Sequence, residues 1–141
     1  MRSKAPLAMM EQLVMVLVFA LAAALCLQVF VLSDKTSRRN EARDRAVMEA
    51  QNTAEELKSL RGDFTRAAGL YGGTFDGQTW GRSYDADWER EDDSEAAYHI
   101  LAIRTNSGDP LLGCAEVMVF TAEGDLLFSL PVAWQEVTDH G

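Results

Sequence analysis

The twenty residues 13–32 constrain this chain more than any other stretch. They run from Leu13 to Leu32 without a charge, a proline or a glycine, and Gln28 is their only strongly polar side chain. A helix rises about 1.5 Å per residue, so twenty residues reach about 30 Å, which is the thickness of the hydrocarbon core of a bilayer. A helix also satisfies its own backbone hydrogen bonds, as a membrane requires. The sequence therefore predicts a transmembrane helix in residues 7–32, preceded by a short polar tail or leader in residues 1–6.

The apolar run is also longer than the hydrophobic region of a typical secretory signal peptide. No small-x-small pattern for signal peptidase lies near its end, where Ser33, Asp34 and Lys35 follow. We therefore expect the helix to be retained as an anchor.

Charge is distributed unevenly along the chain. The net charge is −9, and residues 69–141 hold three basic and fourteen acidic side chains. An acidic surface repels phosphate backbones, so contact with nucleic acid is not expected. Basic residues instead follow the apolar run directly, at Lys35, Arg38, Arg39, Arg43 and Arg45. Counted alone, these positive charges favour a cytoplasmic location for the C-terminal side.

A helical pattern continues after the apolar run. Residues 33–70 contain no proline, and apolar side chains recur three or four positions apart at Val47, Ala50, Ala54, Leu57, Phe64 and Ala68. This spacing predicts an amphipathic helical extension over residues 33–70, with a kink at Gly62 and an end at Gly69. Its apolar stripe needs a cover, either the C-terminal half of the chain or a neighbouring helix. The small alanines favour the first of these.

The period changes from helical to alternating after a glycine-rich loop at residues 71–78. Strands are predicted at residues 79–84, 97–105, 113–121 and 126–134, and Trp88 with its neighbours is a candidate for a further short strand. Residues 106–110 and 122–125 read as turns, with Gly124 in a left-handed conformation, and Pro131 places the last strand at a sheet edge. The predicted fold class is α+β: a long N-terminal helix packed on a four-stranded antiparallel meander, the acidic β domain of residues 71–141.

The sequence contains no recognisable catalytic or metal-binding constellation. Ser83, Ser129 and Cys114 lack the setting of an activated nucleophile, and His99 and His140 lie at no zinc-ligand spacing. Cys26 and Cys114 are not expected to meet in a disulfide, and Cys114 is interpreted as a small buried hydrophobe. We therefore predict neither enzymatic activity nor a cofactor.

An acidic run in residues 85–95 has two interpretations. Seven carboxylates there suggest calcium, because hard cations prefer several carboxylate oxygens. The run lacks the residue order of an EF-hand, so a solvated loop that keeps the domain soluble is favoured and no metal site is predicted. The three tryptophans, Trp80, Trp88 and Trp134, are interpreted as core or rim residues, with a partner-binding patch as the alternative.

The order of these features resembles a type IV pilin or pseudopilin. The local match is LAMMEQLVMVLVFALAAA, beginning at Leu7, which is similar to the N-terminus of that family. The resemblance implies that Glu11 is the glutamate at the fifth mature position and that prepilin peptidase cuts between Pro6 and Leu7. It also implies that Glu11 pairs with the freed amine of a neighbouring subunit during assembly. The family has glycine immediately before the cut, where this chain has Pro6.

The resemblance implies a non-enzymatic structural subunit of a type IV pilus, a type II secretion system or a DNA-uptake pseudopilus. Such a protein is a single-pass protein of the cell membrane with its C-terminal domain outside the cytoplasm. Its partners are the lipid bilayer and other pilin-like subunits, which it contacts through the N-terminal helix. The alternative is a membrane-anchored binding or scaffold subunit of a cell-envelope complex, with the acidic domain as its docking surface.

Overall fold

The computed structural model describes residues 5–136 of the chain. It contains two helices, α1 (Ala5–Ser59) and α2 (Phe64–Tyr71), and five strands: β1 (Thr74–Phe75), β2 (Thr79–Tyr84), β3 (Tyr98–Thr105), β4 (Leu112–Thr121) and β5 (Leu126–Gln135). The chain divides into two compact units, Met1–Glu41 and Ala42–Gly141. Residues 1–4 of the predicted tail, and His140, lie outside the described residues.

The first unit is the N-terminal part of α1. Pro6 stands in its first turn, where a missing N–H costs no helical hydrogen bond. No further proline and no glycine follows in α1, and alanine and leucine, both strong helix formers, are frequent. Every described residue of this unit is exposed.

The second unit begins with the C-terminal part of α1, which packs on the sheet. One face of this part is buried, at Ala46, Ala50, Thr53, Ala54 and Leu57. Because these positions are three or four residues apart, they form one helical stripe. The apolar side chains among them belong to the same core cluster as the inward-facing residues of the strands. The prediction that the chain's own C-terminal half covers this stripe is confirmed.

The predicted kink at Gly62 is a complete break, because α1 ends at Ser59 and a separate helix, α2, follows. The predicted end at Gly69 is wrong, since α2 continues to Tyr71. Arg61 and Gly62 both adopt positive φ angles, 50° and 72°, which no right-handed helix allows. The Gly62 N–H donates to the carbonyl of Leu57 at 2.9 Å, a bond typical of a helix end. Asp63 then caps α2, accepting a hydrogen bond from the Arg66 N–H at 3.0 Å.

The five strands form one antiparallel sheet in the order β1-β2-β3-β4-β5. The four predicted strands are all present, each within one residue of its predicted bounds. The predicted number was one too low, because the two-residue strand β1 lies inside the glycine-rich loop. The region of Trp88 is a turn, followed by a single bridge between Tyr84 and Arg90.

Alternation along the strands separates a buried sheet face from a half-exposed one. The face towards α1 is buried and carries Trp80, Ile100, Val117 and Val132. The opposite face carries half-exposed side chains such as Leu101 and Met118, which pair across β3 and β4. The strand that contains Pro131, β5, is an edge strand, as predicted.

Candidate functional site

The N-terminal part of α1 exposes a continuous series of large apolar side chains. Among residues 5–136, α1 is the helix that is long and apolar enough to cross a membrane, and none of its apolar window is buried. Both Leu13 and Leu32, the ends of the predicted span, are more than 60% exposed, at 71% and 65%. An apolar surface of this length needs a cover of lipid or of other apolar helices.

The predicted processing and assembly residues lie at the start of the same helix. Pro6 and Leu7 belong to its first turn, and Glu11 follows Leu7 by four residues, so the two share one helix face. All three are exposed. Within the described part of the chain, Glu11 forms no ion pair. A carboxylate at the edge of an apolar helix needs either water or a cation from another molecule.

A buried ion pair holds α1 to the sheet in the second unit. Arg82, on β2, places its Nη1 2.9 Å from Glu56 Oε2 on α1, and its side chain is only 4% exposed. Its Nη2 donates to the Thr53 hydroxyl, which itself donates to the Glu49 carbonyl at 2.8 Å. The guanidinium also lies 4.7 Å from the centre of the Trp80 ring, a cation–π contact.

Burial of the Arg82–Glu56 pair disfavours the charged form of Glu56. Burial raises the pKa of the Glu56 carboxyl above its ordinary value, and the nearby positive charge of Arg82 offsets this only in part. Glu56 Oε2 is itself buried, with Arg82 Nη1 as its counter-ion at 2.9 Å. We conclude that this pair has a structural role, because its charged groups are already engaged with one another.

The acidic segment 85–95 is a structured connection between β2 and β3. Asp85 Oδ1 accepts hydrogen bonds from the N–H groups of Asp87 and Glu89, each at 2.9 Å. Trp88 adopts a positive φ of 63° within this turn and stacks on Tyr98, with ring centres 4.1 Å apart and planes 8° from parallel. Stacking offsets the cost of a left-handed conformation at a bulky residue.

Arg90 ties the acidic segment to α2. Its Nη2 donates to the carbonyl of Tyr71, and its guanidinium lies 5.6 Å from the centre of the Tyr84 ring. Among the described residues there is no group of three His, Cys, Asp or Glu side chains placed to hold a metal ion. The Asp85 carboxylate acts as a turn acceptor, and Asp93 contacts side chains of β2 and β3.

Ser83, Asp93 and His99 meet on the half-exposed face of the sheet. The Ser83 hydroxyl donates to Asp93 Oδ1 at 2.6 Å and lies 3.1 Å from His99 Nδ1, which is 3.2 Å from the same Asp93 oxygen. In a hydrolytic triad the serine and the carboxylate contact different ring nitrogens. Here both contact Nδ1, and Asp93 is 87% exposed, so the arrangement lacks the geometry that activates a serine.

Sequence reasoning missed the Arg82–Glu56 pair. Its signal was present, because Arg82 alternates with the aromatic residues Trp80 and Tyr84 and therefore shares their face of β2. Both cysteines are free thiols, and Cys26 is exposed. Cys114, interpreted from the sequence as a buried residue, is only half-buried, on the sheet face opposite α1. Trp80 and Trp134 are core residues, as interpreted from the sequence.

Comparison with known proteins yields no matching family model, curated protein or solved structure. The fold and its exposed helix define a class by architecture alone: an α+β protein with one N-terminal helix long and apolar enough to span a membrane.

Proposed function

We propose that this protein is a membrane-anchored, pilin-like structural subunit, without enzymatic activity, of a type IV pilus, a type II secretion system or a DNA-uptake pseudopilus. One observation carries the proposal. A single helix, α1, has an exposed apolar N-terminal part and a C-terminal part that packs on an antiparallel sheet. Such a helix serves first as a bilayer anchor and then, when subunits assemble, as the core of a fibre.

The roles of individual residues follow from this proposal. Prepilin peptidase cuts between Pro6 and Leu7, and the C-terminal domain lies outside the cytoplasm. The amine freed at Leu7 then pairs with Glu11 of a neighbouring subunit. The pair relieves the cost of placing both charges in an apolar environment. Lipid and other pilin-like subunits are the partners of the helix.

A specific observation favours a second candidate, a membrane-anchored scaffold of a cell-envelope complex. Pro6 occupies the position before the proposed cut, where the pilin family has glycine. An uncut chain keeps residues 1–6 and gains no amine at Leu7. Its helix then remains in the bilayer, and its acidic domain is the docking surface.

The mass and N-terminal residue of the protein recovered from its native membrane distinguish the two candidates. A chain that begins at Leu7 supports the pilin-like subunit, whereas an intact tail supports the scaffold. A protein that is not in the membrane fraction at all contradicts both.

A variant pair tests the role of Glu11 in assembly. The change Glu11→Gln should abolish cross-linked oligomers in native membranes, because the acid no longer pairs with the amine. The matched control is Glu55→Gln, which neutralises an exposed acid in the same helix that pairs with Lys58, three residues away. Equal oligomer yields from the two variants would contradict the assembly role.

A further inference from the structure

The helix α1 carries an excess of unpaired positive charge immediately after its apolar part. Asp34 pairs with Arg38 at 3.2 Å within the first unit, and Arg45 pairs with Glu49 at 3.8 Å within the second. Each of these two ion pairs has no net charge. They leave Lys35 and Arg39 as basic residues of the first unit without such a partner.

Lys35 and Arg39 share one face of the helix. They are four residues apart in α1, so one lies a single turn above the other. Both side chains are exposed, and neither forms an ion pair within residues 5–136. Two neighbouring cations repel one another unless an anion or solvent screens them. The face therefore fits an anionic partner.

The position of the two cations indicates which anion they meet. They follow Leu32, the end of the apolar run, by three and seven residues, which is about 4.5 Å and about 10.5 Å along a helix axis. The headgroup layer of one leaflet is roughly 5–7 Å thick. Helical side chains lean towards the N-terminus, so both long side chains reach back towards the headgroups.

We propose that Lys35 and Arg39 bind the phosphates of anionic phospholipids in the leaflet where α1 leaves the membrane. This inference rests on the proposed membrane anchoring. The Arg39 guanidinium presents two parallel N–H groups to a phosphate, and Lys35 adds a point charge one turn closer to the hydrocarbon. The protein therefore selects phosphatidylglycerol-type lipids over zwitterionic ones and is held at a fixed depth.

The test uses the full chain in nonionic detergent micelles. It is titrated with dioctanoyl phosphatidylglycerol or dioctanoyl phosphatidylcholine, and bound lipid is counted by native mass spectrometry. A basic side chain near anionic headgroups changes the affinity by roughly fivefold, so the double change K35Q/R39Q should weaken phosphatidylglycerol binding by roughly 25-fold. Binding of phosphatidylcholine should not change, and the preference should fall as salt is raised.

The chain offers a matched control, R38Q/R45Q. It removes the same number of charges from the same segment, but from the two ion-paired arginines. This variant should keep most of the preference for phosphatidylglycerol. Equal losses in both variants would mean that net charge alone attracts the lipid, which would overturn the proposal, as would the absence of any preference in the unmodified chain.

Two further measurements separate the remaining outcomes. If K35Q/R39Q abolishes self-association in analytical ultracentrifugation and leaves lipid binding unchanged, the partner is a second copy of the chain and the lipid proposal is overturned. Alkaline extraction of native membranes tests the anchor itself. A chain released by alkali contradicts the proposed function, whereas a retained chain without lipid preference contradicts only the lipid site.

Discussion

Removing the charge of Arg82 should destabilise the second unit strongly. The change Arg82→Met keeps an unbranched apolar stem between Trp80 and α1, but it removes the guanidinium and leaves Glu56 with a buried oxygen and no cation. Loss of one partner of a buried pair costs about 3–5 kcal/mol. Because the Glu56 side chain is 22% exposed and water reaches part of it, we expect the lower end, about 3 kcal/mol.

The measurement is urea unfolding of the full chain in nonionic detergent, followed by tryptophan fluorescence. All three tryptophans lie in the second unit, so the signal reports on that unit alone. The matched control is Lys58→Met. It breaks an exposed pair with Glu55 at 3.4 Å, and exposed pairs contribute at most about 1 kcal/mol to the free energy of unfolding.

The double variant R82M/E56Q gives the sharper test. Since Glu56 no longer carries a charge, its burial costs less, and the double variant should be at least about 1 kcal/mol more stable than R82M. A cost below about 1 kcal/mol for R82M would refute the reasoning, because a pair this buried would then behave as a surface pair. A double variant less stable than R82M would refute it as well.

The same pair predicts a dependence of stability on pH. Burial raises the pKa of folded Glu56 above its ordinary value of 4.5, so in the window between the two values the folded chain binds more protons than the unfolded one. The free energy of unfolding therefore falls as pH rises through that window. The stability of the unmodified chain minus that of E56Q should decrease from about pH 4 upward. An increase would contradict the assigned direction.

The remaining predictions concern the helix break and the helix–sheet contact. Gly62→Ala should destabilise the second unit by more than about 1 kcal/mol, because its φ is 72° and the new Cβ would lie 2.0 Å from Trp134 Cζ2. Gly69→Ala, inside α2 with nothing within 4 Å of the new Cβ, should instead stabilise it by about 0.5 kcal/mol; equal urea midpoints for the two would contradict this. Leu57→Ala should cost about 3 kcal/mol, since Leu57 is fully buried against the sheet. Met48→Ala, at a residue 52% exposed, should cost less than about 1 kcal/mol, and similar losses would show that α1 does not pack on the sheet as described.

Local pattern was sufficient to predict most of the elements. The apolar run, the alternating strands and the turn at Gly124, whose φ is 92°, depend on residues close together in the chain. Hydrophobic period and glycine preference are local properties, so they are readable from the sequence. The edge position of β5 followed from Pro131 for the same reason, because a proline lacks the N–H that a central strand needs.

Contacts between residues that are distant in the sequence determine where α1 ends. A helix pattern alone allows α1 to continue past Ser59, but Trp134 from β5 lies against Gly62, and Arg104 of β3 donates to the Gly62 carbonyl at 2.7 Å. These contacts favour a left-handed backbone there, at a cost that only the folded sheet offsets. Local pattern predicted a kink at Gly62, but no window of the sequence contains both partners of these contacts, so the complete break between α1 and α2 was not predictable from local pattern.

The buried Arg82–Glu56 pair has the same origin. By itself the sequence determined that α1 has an apolar N-terminal part, and that β2 has an inward face carrying Arg82. Only the tertiary structure determined that Glu56 meets this arginine, because the packing of α1 on the sheet sets the rotation of the helix. The physical reason is that periodicity specifies which residues face inward, whereas the partner of each depends on how two separate elements pack together.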